Sequence, residues 1–264
     1  MPRPISKLSY NYLEFAHSPI HGPVVLKIGF PNPEISTEIK ALAYFHDQRG
    51  SVRLLDWDLD QGALLLERIL PGRDLTTIAD DQEATRIAAQ SMVSLRASPP
   101  GSDDFPTMEQ WCEGFIRYQT SFNASSGLIP YPLFDLAAGL ARELLQSPQE
   151  QYFLHGDLHH SNLLCREDGS WVAIDPKGVI GEFACEAGPY LFNPVPDLLL
   201  SPNLEGVLMR RLEILAAVTG LDKDRLAAWS FCRGVLAAIW SAEEGAQDLA
   251  YWVKISQAAR VLVK

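Results

Sequence analysis

Short alternating runs of apolar and polar residues occupy the first quarter of the chain, a pattern typical of half-buried β-strands. The runs lie at residues 8–16, 24–28, 52–56 and 63–69, with turn residues between them. Lys27 is the one charge inside the second run. Residues 33–48 instead carry apolar side chains at helical spacing, and Pro33 suits a first helical turn. The pattern therefore predicts a small sheet with one helix.

From Asp74 onward, the spacing of the apolar residues is mostly helical. It predicts helices at residues 75–97, 107–122, 133–145, 204–219, 222–242 and 246–262. Three short apolar runs at residues 152–154, 162–165 and 171–174 predict strands, and an irregular stretch then continues to Pro196. We thus predict an α+β fold with a β-rich lobe at residues 1–69 and a larger helical lobe at residues 70–264.

The composition narrows the class of protein. The chain has 264 residues, is 47% hydrophobic and carries a net charge of −11. This charge argues against nucleic acid and anionic membranes as partners, and it is compatible with a cationic small molecule. Four cysteines without metal-binding spacing indicate reduced thiols, and no apolar stretch reaches the length of a membrane span. We predict a cytoplasmic, monomeric protein.

The candidate chemistry lies in residues 155–162, with the sequence His-Gly-Asp-Leu-His-His-Ser-Asn, and in Asp175 beyond them. A strand, a polar loop and a hairpin bring Asp157, Asn162 and Asp175 towards one place. Phosphoryl transfer to a hydroxyl needs a carboxylate that accepts the proton and oxygen ligands that hold Mg²⁺ on the phosphates. The interval from Asp157 to Asn162 is that of the protein-kinase signature, in which the Asp is the base and the Asn binds metal.

Two other interpretations of this loop stay open. His155, Asp157, His159 and His160 could form the ligand cluster of a metal-dependent hydrolase, although the remaining histidines lie far upstream without ligand spacing. The loop could also be structural, or belong to a kinase that has lost its activity.

Two segments carry a family resemblance. Gly-Asp-Leu-His-His-Ser-Asn at residues 156–162 and Ile-Asp-Pro-Lys-Gly-Val-Ile-Gly-Glu at residues 174–182 resemble the aminoglycoside phosphotransferase family. They are most similar to its branch of streptomycin 6-phosphotransferases and hydroxyurea phosphotransferases, and the similarity extends from about Leu8 to the last helix. The resemblance implies a bilobal, protein-kinase-like fold. It also implies ATP-dependent phosphorylation of a hydroxyl on a small molecule, an aminoglycoside such as streptomycin.

The same resemblance implies roles for individual residues. It makes Asp157 the catalytic base and makes Asn162 and Asp175 the Mg²⁺ ligands. Lys27 would contact the ATP phosphates and would be positioned by an ion pair with Glu38, for which Glu34 is the competing partner. The backbone from Glu67 to Ile69 would contact adenine.

A cationic acceptor needs carboxylates that stay ionised near neutral pH. Glu182 and Glu186 follow the catalytic segment, and Glu243 and Glu244 lie in a predicted break between the last two helices. Glu182 is the strongest candidate because it falls within the segment that matches the family. His159 is a further candidate for substrate contact.

The first strand of a kinase-like small lobe has no counterpart in the predicted strands. Such a lobe begins with a strand that helps to cover the phosphates, but only seven residues precede Leu8, and no glycine-rich phosphate motif occurs. We therefore expect a lobe without its first strand, weak ATP affinity, and an upstream extension that would complete the lobe. Two alternative functions remain: a kinase of a small hydroxylated metabolite, and a pseudokinase or binding module.

Overall fold

The computed structural model describes residues 11–46, 50–101, 104–121 and 127–263. Its first lobe holds an antiparallel sheet of β1 (Tyr12–Ser18), β2 (Gly22–Ile28), β3 (Leu54–Asp58) and β4 (Ala63–Glu67), in the order β1-β2-β4-β3. Helix α1 (Pro33–Tyr44) follows β2, and the Asn32 side chain caps it by accepting a hydrogen bond from the N–H of Ile35. The predicted sheet with one helix is confirmed. The expected loss of a first strand concerns residues 1–10, which lie outside the described residues.

The small lobe has a hydrophobic cluster of its own. Ile35, Ile39 and Leu42 of α1 pack against buried side chains of the sheet, among them Leu64 of β4. Burying each such side chain contributes roughly 1.5–3 kcal/mol. Lys27 pairs in register with Leu64, so the strand places a lysine inside this otherwise apolar layer.

The second lobe is built on helices: α2 (Asp81–Ser94), α3 (Met108–Ser121), α4 (Tyr131–Gln146), α5 (Ala187–Leu191), α6 (Leu204–Thr219), α7 (Lys223–Glu244) and α8 (Leu249–Ala259). Helix α7 is the central one, since it contacts α3, α4, α5, α6 and α8. Every residue from Leu226 to Leu236 is buried. A helix buried on all sides is expected at the middle of a large core.

Two small sheets enclose the candidate catalytic loop. Strands β5 (Pro71–Asp74), β7 (Leu163–Arg166) and β8 (Trp171–Ala173) form one, in the order β5-β7-β8. Strand β6 (Gln151–Leu154) pairs antiparallel with β9 (Val179–Glu182) in the other. The loop at residues 155–162 therefore begins where β6 ends and ends where β7 begins.

Three local predictions were wrong. The stretch after Asp175 is not irregular, because β9 and α5 form within it. The helix expected at residues 75–97 begins only at Asp81, where the Asp80 side chain accepts a hydrogen bond from the N–H of Gln82. The expected break at Glu243 and Glu244 is the last turn of α7, which ends at Gly245 in a left-handed conformation.

The two lobes meet where β8 runs beside residues 50–52. Ala173 of β8 donates a backbone hydrogen bond to the oxygen of Gly50 and accepts one from the N–H of Val52. The small-lobe cluster includes Ile69, whereas Leu75 belongs to the cluster of the helical lobe. The predicted boundary between residues 69 and 70 agrees with this change and remains a prediction. Across the described ranges, no helix combines the length and apolarity that a bilayer span requires.

Candidate active site

The candidate catalytic loop, residues 155–162, is held through its backbone by one buried carboxylate. Glu186, after β9, accepts hydrogen bonds from the N–H groups of His155 (2.7 Å) and Gly156 (3.0 Å). Gly156 has a φ of 80°, a conformation that suits glycine. At the other end of the loop, the Asn162 side-chain amide donates to the backbone oxygen of Asp157 over 3.0 Å. Asp157 is thus presented by a loop that is fixed on both sides.

Two histidines of the loop are structural. The Nδ1 atom of His155 accepts from the N–H of Asp157, so its Nε2 carries the hydrogen donated to the Ile174 oxygen. Burial lowers the pKa of His155 to about 4. His160 is buried and stacks on the ring of Tyr190, with ring centroids 4.4 Å apart. Because both rings serve the fold, the ligand cluster of a hydrolase is not assembled here.

Asp175 is held in an unusual backbone conformation. It is the only non-glycine residue of the described ranges with a positive φ, at 58°. Such a conformation costs energy and is concentrated at functional sites. Its carboxylate lies 3.0 Å from the Nζ of Lys27, which joins the end of β8 to the small lobe.

Lys27 lies between two carboxylates. Its Nζ atom is 2.6 Å from Glu38 of α1 and 3.0 Å from Asp175, and the lysine is 3% exposed. Burial works against the charged form, but the two carboxylates outweigh it and raise the pKa of Lys27 above its usual value. The predicted ion pair is therefore with Glu38. The competing candidate, Glu34, pairs instead with Lys177.

A cleft of about 580 Å³ opens between the lobes at this point. Its lining includes Lys27, Glu38, Asp157, Asn162 and Asp175. Five of the predicted catalytic, nucleotide and metal residues thus share one cavity.

A second cavity, of about 730 Å³, lies in the helical lobe on the other side of Asp157. Aromatic side chains form much of its wall, namely Trp111, Phe192, Trp240 and Trp252. Pockets of 300–1,000 Å³ with such walls are typical of small-molecule sites. Asp157, His159 and Lys177 line both cavities. Asp157 therefore lies at the junction of the two.

Arg233 of α7 was missed by the sequence reasoning. Its guanidinium group lies 4.9 Å from the ring centre of Trp111 and 4.7 Å from that of Trp240, and it donates to the backbone oxygen of Gly156. The residue is 8% exposed and lines the second cavity. A single charge inside an apolar run is the signal that would have marked Arg233 in α7. The same signal marked Lys27 in β2.

Comparison with known proteins decides the family. A model of the aminoglycoside/hydroxyurea antibiotic resistance kinases matches residues 18–245, most of the chain. The chain belongs to this family. It is 34% identical over 223 residues to a streptomycin 3''-kinase of Klebsiella pneumoniae, covering 77% of this chain and 79% of the relative. It is 30% identical over 226 residues to a streptomycin 6-kinase of Streptomyces glaucescens, covering 85% and 73%.

A third relative and two solved structures are also similar to this chain. The kinase is 34% identical to a hydroxyurea phosphotransferase of Kitasatospora aureofaciens, covering 83% of this chain but only 62% of that protein's length. A choline/ethanolamine kinase family protein from Mesorhizobium loti superposes with a TM-score of 0.69 at 13% identity, covering 99% of this chain and 87% of that one. An aminoglycoside phosphotransferase in complex with ADP and hygromycin B superposes with a TM-score of 0.68 at 10% identity, covering 99% and 92%. At these identities the structures show the fold, which is protein-kinase-like.

The chain is accordingly a phosphotransferase that acts on a hydroxyl group. The donor atoms in its cleft are of the kind that Mg²⁺ binds, because this ion takes oxygen ligands and completes its shell with water and phosphate. Asp175 offers a carboxylate, and Asn162 uses its amide nitrogen on Asp157, which leaves the carbonyl oxygen for a ligand. Within the described ranges, no set of three or more His, Cys, Asp and Glu side chains could hold a metal by itself.

The kinase does not place Glu182 in the aromatic cavity, contrary to the sequence prediction. Glu182 is 4% exposed. Its carboxylate accepts hydrogen bonds from Arg225 (2.5 and 2.6 Å) and from the indole N–H of Trp229 (2.9 Å). Burial opposes the charge, but these donors outweigh it and hold the pKa of Glu182 below its usual value. The residue therefore joins β9 to α7 and does not face a ligand.

The other predicted substrate residues divide into two groups. Glu186 is buried beneath the catalytic loop, where burial raises its pKa to about 7. Glu243 forms an ion pair with Arg117 over 3.4 Å and is absent from the cavity lining. Glu244 and His159 do line the cavity. Of the five residues predicted to contact substrate, only these two line the aromatic cavity.

The segment predicted to contact adenine has several of its polar groups engaged within the protein. The Glu67 carboxylate binds Arg53 and Arg166, and the N–H groups of Glu67 and Arg68 donate to Arg53 and Pro23. These groups serve the fold of the lobe. A backbone contact of residues 67–69 with adenine remains a prediction, and the N–H groups of Glu67 and Arg68 are not free to make it.

Proposed function

We propose that the protein transfers the γ-phosphate of ATP to a hydroxyl of an aminoglycoside such as streptomycin. The position of Asp157 carries this proposal, because this carboxylate lies between the polar cleft and the aromatic cavity. An acceptor in the aromatic cavity could present its hydroxyl to Asp157, and the phosphates in the cleft would lie on the other side.

Five polar residues of the cleft have a part in the proposed reaction. Asp157 accepts the proton of the attacking hydroxyl, as a base within hydrogen-bond reach does. Lys27 is kept charged by Asp175 and Glu38 and would bind phosphate oxygens, and Asn162 and Asp175 would hold Mg²⁺. The metal, when bound, neutralises charge that develops on the transferred group. Positioning and electrostatic stabilisation are the main contributions that a protein makes to phosphoryl transfer.

The lining of the aromatic cavity supports a polycationic acceptor. Glu244 lies at its edge in the last turn of α7, and Trp252 adds an aromatic ring of the kind that binds cations. The rings of Trp111 and Trp240 already contact Arg233. The named relatives act on streptomycin or hydroxyurea, which also supports this class of acceptor. Asp248 hydrogen-bonds Ser241 and Trp252, so that it shapes the cavity.

A coupled ADP-release assay across aminoglycosides and small hydroxylated metabolites tests the proposal. We expect an aminoglycoside to stimulate ADP release most. Glu244→Gln should raise the KM of that acceptor several-fold while the KM of ATP holds, and added salt should weaken acceptor binding, since charges at a cavity edge are screened. Glu83→Gln, on the exposed face of α2, is the matched control.

A metabolite kinase is the second candidate. Arg233, a cation that lines the aromatic cavity beside the catalytic loop, favours it, because a buried arginine would suit a carbonyl or anionic group better than a polycation. A neutral metabolite that outperforms every aminoglycoside, with a KM that salt does not change, would support this candidate. Acceptor binding without turnover would indicate a binding module.

A cytoplasmic location and a monomeric state remain predictions.

A further inference from the structure

Lys177 occupies the junction between the cleft and the aromatic cavity. It follows Asp175 by two residues, and its backbone N–H donates to the oxygen of His155 over 2.8 Å, which attaches it to the catalytic loop. Among the positively charged side chains of the described ranges, Lys177 is the one that lines both cavities. Lys27 lines only the cleft, and Arg233 lines only the aromatic cavity.

The side chain of Lys177 has a partner that it can exchange. Its Nζ binds Glu34 in the first turn of α1. The side chains of Lys177 and Glu34 are 40% and 65% exposed, whereas those of Lys27 and Glu38 are 4% and 9% exposed. Exposed ion pairs contribute little to stability, so the bond to Glu34 is easily replaced by one to a stronger anion.

The reaction brings such an anion to this place. During transfer, the bond from the γ-phosphorus to the bridging oxygen of ADP breaks, and a bond to the acceptor oxygen forms. The acceptor proton passes to Asp157, and the negative charge spreads over the three equatorial oxygens of the moving group. A cation placed in advance where charge develops stabilises the transition state.

We propose that Lys177 exchanges Glu34 for the γ-phosphoryl group and binds it as it passes from the cleft to the cavity. Lys177 neither gains nor loses a proton in this step. Glu34 holds the lysine near the junction when no γ-phosphate is bound. This inference rests on the proposed function, since it needs ATP in the cleft and an acceptor in the aromatic cavity.

The alternative is that Lys177 and Glu34 form a strut between the lobes. Two variants separate the possibilities, because Lys177→Met and Glu34→Gln both break the ion pair and only the first removes the cation. For each, we would measure the Kd of Mg²⁺ with a non-hydrolysable ATP analogue, the Kd of Mg²⁺ with ADP, and the kcat with the best acceptor.

We expect Lys177→Met to raise the Kd of the ATP analogue about tenfold or more, the usual loss for a hydrogen bond to a charged group. The Kd of ADP should stay nearly unchanged. The kcat of the variant should fall by about 10²–10³-fold, the usual loss on removing a group that stabilises transition-state charge. Glu34→Gln should bind the analogue more tightly than wild type. Lys177→Arg should retain the preference for the analogue over ADP.

Equal effects of Lys177→Met and Glu34→Gln, or equal losses of the analogue and ADP, would overturn the proposal in favour of the strut. Should Lys177→Met fail to fold, the Kd of the analogue for Glu34→Gln still decides. Tighter binding than wild type supports the proposal, and unchanged binding contradicts it. Failure of the proposed function is a separate result: wild type would release no ADP with any acceptor, and the two binding measurements would still compare γ-phosphate recognition.

Discussion

Asp175 combines two properties that seldom occur in one residue. It lies in the left-handed region of backbone conformation and carries a carboxylate bound to Lys27. Asparagine tolerates this backbone conformation better than other non-glycine residues do. Asp175→Asn therefore removes the charge and keeps the backbone geometry, which makes it a cleaner test than alanine.

We expect Asp175→Asn to lose most of the Mg²⁺ dependence of nucleotide binding, with a melting temperature close to that of wild type. The reason is that a neutral amide is a much weaker ligand for Mg²⁺ than a carboxylate. Isothermal titration with ATP, with and without Mg²⁺, measures it. An unchanged dependence on Mg²⁺ would place the metal site elsewhere.

At the scale of elements, β9 is attached to α7 by Glu182, Arg225 and Trp229. Removing one partner of a buried ion pair leaves an uncompensated charge, which costs about 3–5 kcal/mol. We expect Glu182→Gln to lower the unfolding free energy by an amount near the low end of that range, since the amide keeps some hydrogen bonds. Urea denaturation measures this loss, and Glu83→Gln is the exposed control.

The same Glu182→Gln variant separates structure from substrate binding. Because Glu182 lies outside the aromatic cavity, the KM for the acceptor should hold at temperatures where the variant is folded. A raised KM with unchanged stability would restore the role that the sequence alone predicted.

Glu186 connects the turn after β9 to the catalytic loop, and its pKa of about 7 is raised by burial. The folded protein therefore binds a proton more tightly than the unfolded chain does. The contribution of Glu186 to stability is fully present below the unfolded pKa of about 4.3 and is lost as the pH rises to about 7.

Glu186→Gln should remove this pH dependence. The melting temperature of the variant, measured relative to wild type, should rise as the pH increases from about 4.5 to about 7. The reason is that a buried negative charge destabilises only the wild type as the pH rises. Thermal melts at several pH values would show it. A difference that stays constant over the range would mean that Glu186 is ionised throughout in the folded protein.

At the scale of the whole molecule, local sequence patterns were enough for much of the fold. Apolar spacing predicted α6 at its observed limits, residues 204–219, and the isolated charge in β2 marked Lys27. The interval between Asp157 and Asn162 marked the candidate catalytic loop, and both residues line the cleft. This was possible because the two residues are close in sequence.

Interactions between distant residues could not be predicted in this way. Glu182 was singled out because its segment resembles the family, yet its partner Arg225 is supplied by α7, and no local pattern predicts that pairing. The pairing of β6 with β9 likewise depends on strands that are far apart along the chain. For the same reason, Glu186 could be recognised as acidic but not as the group that holds the catalytic loop.

The central claim is that phosphate passes from ATP to a hydroxyl of the acceptor with Asp157 as the base. The most direct measurement is ³¹P NMR of the products formed with the best aminoglycoside acceptor, by wild type and by Asp157→Asn. We predict a phosphate monoester on the acceptor, formed in step with ADP, and a rate that falls by about 10²–10⁴-fold in the variant, the usual contribution of general-base catalysis. Inorganic phosphate in place of the ester, or full turnover by Asp157→Asn, would contradict the claim.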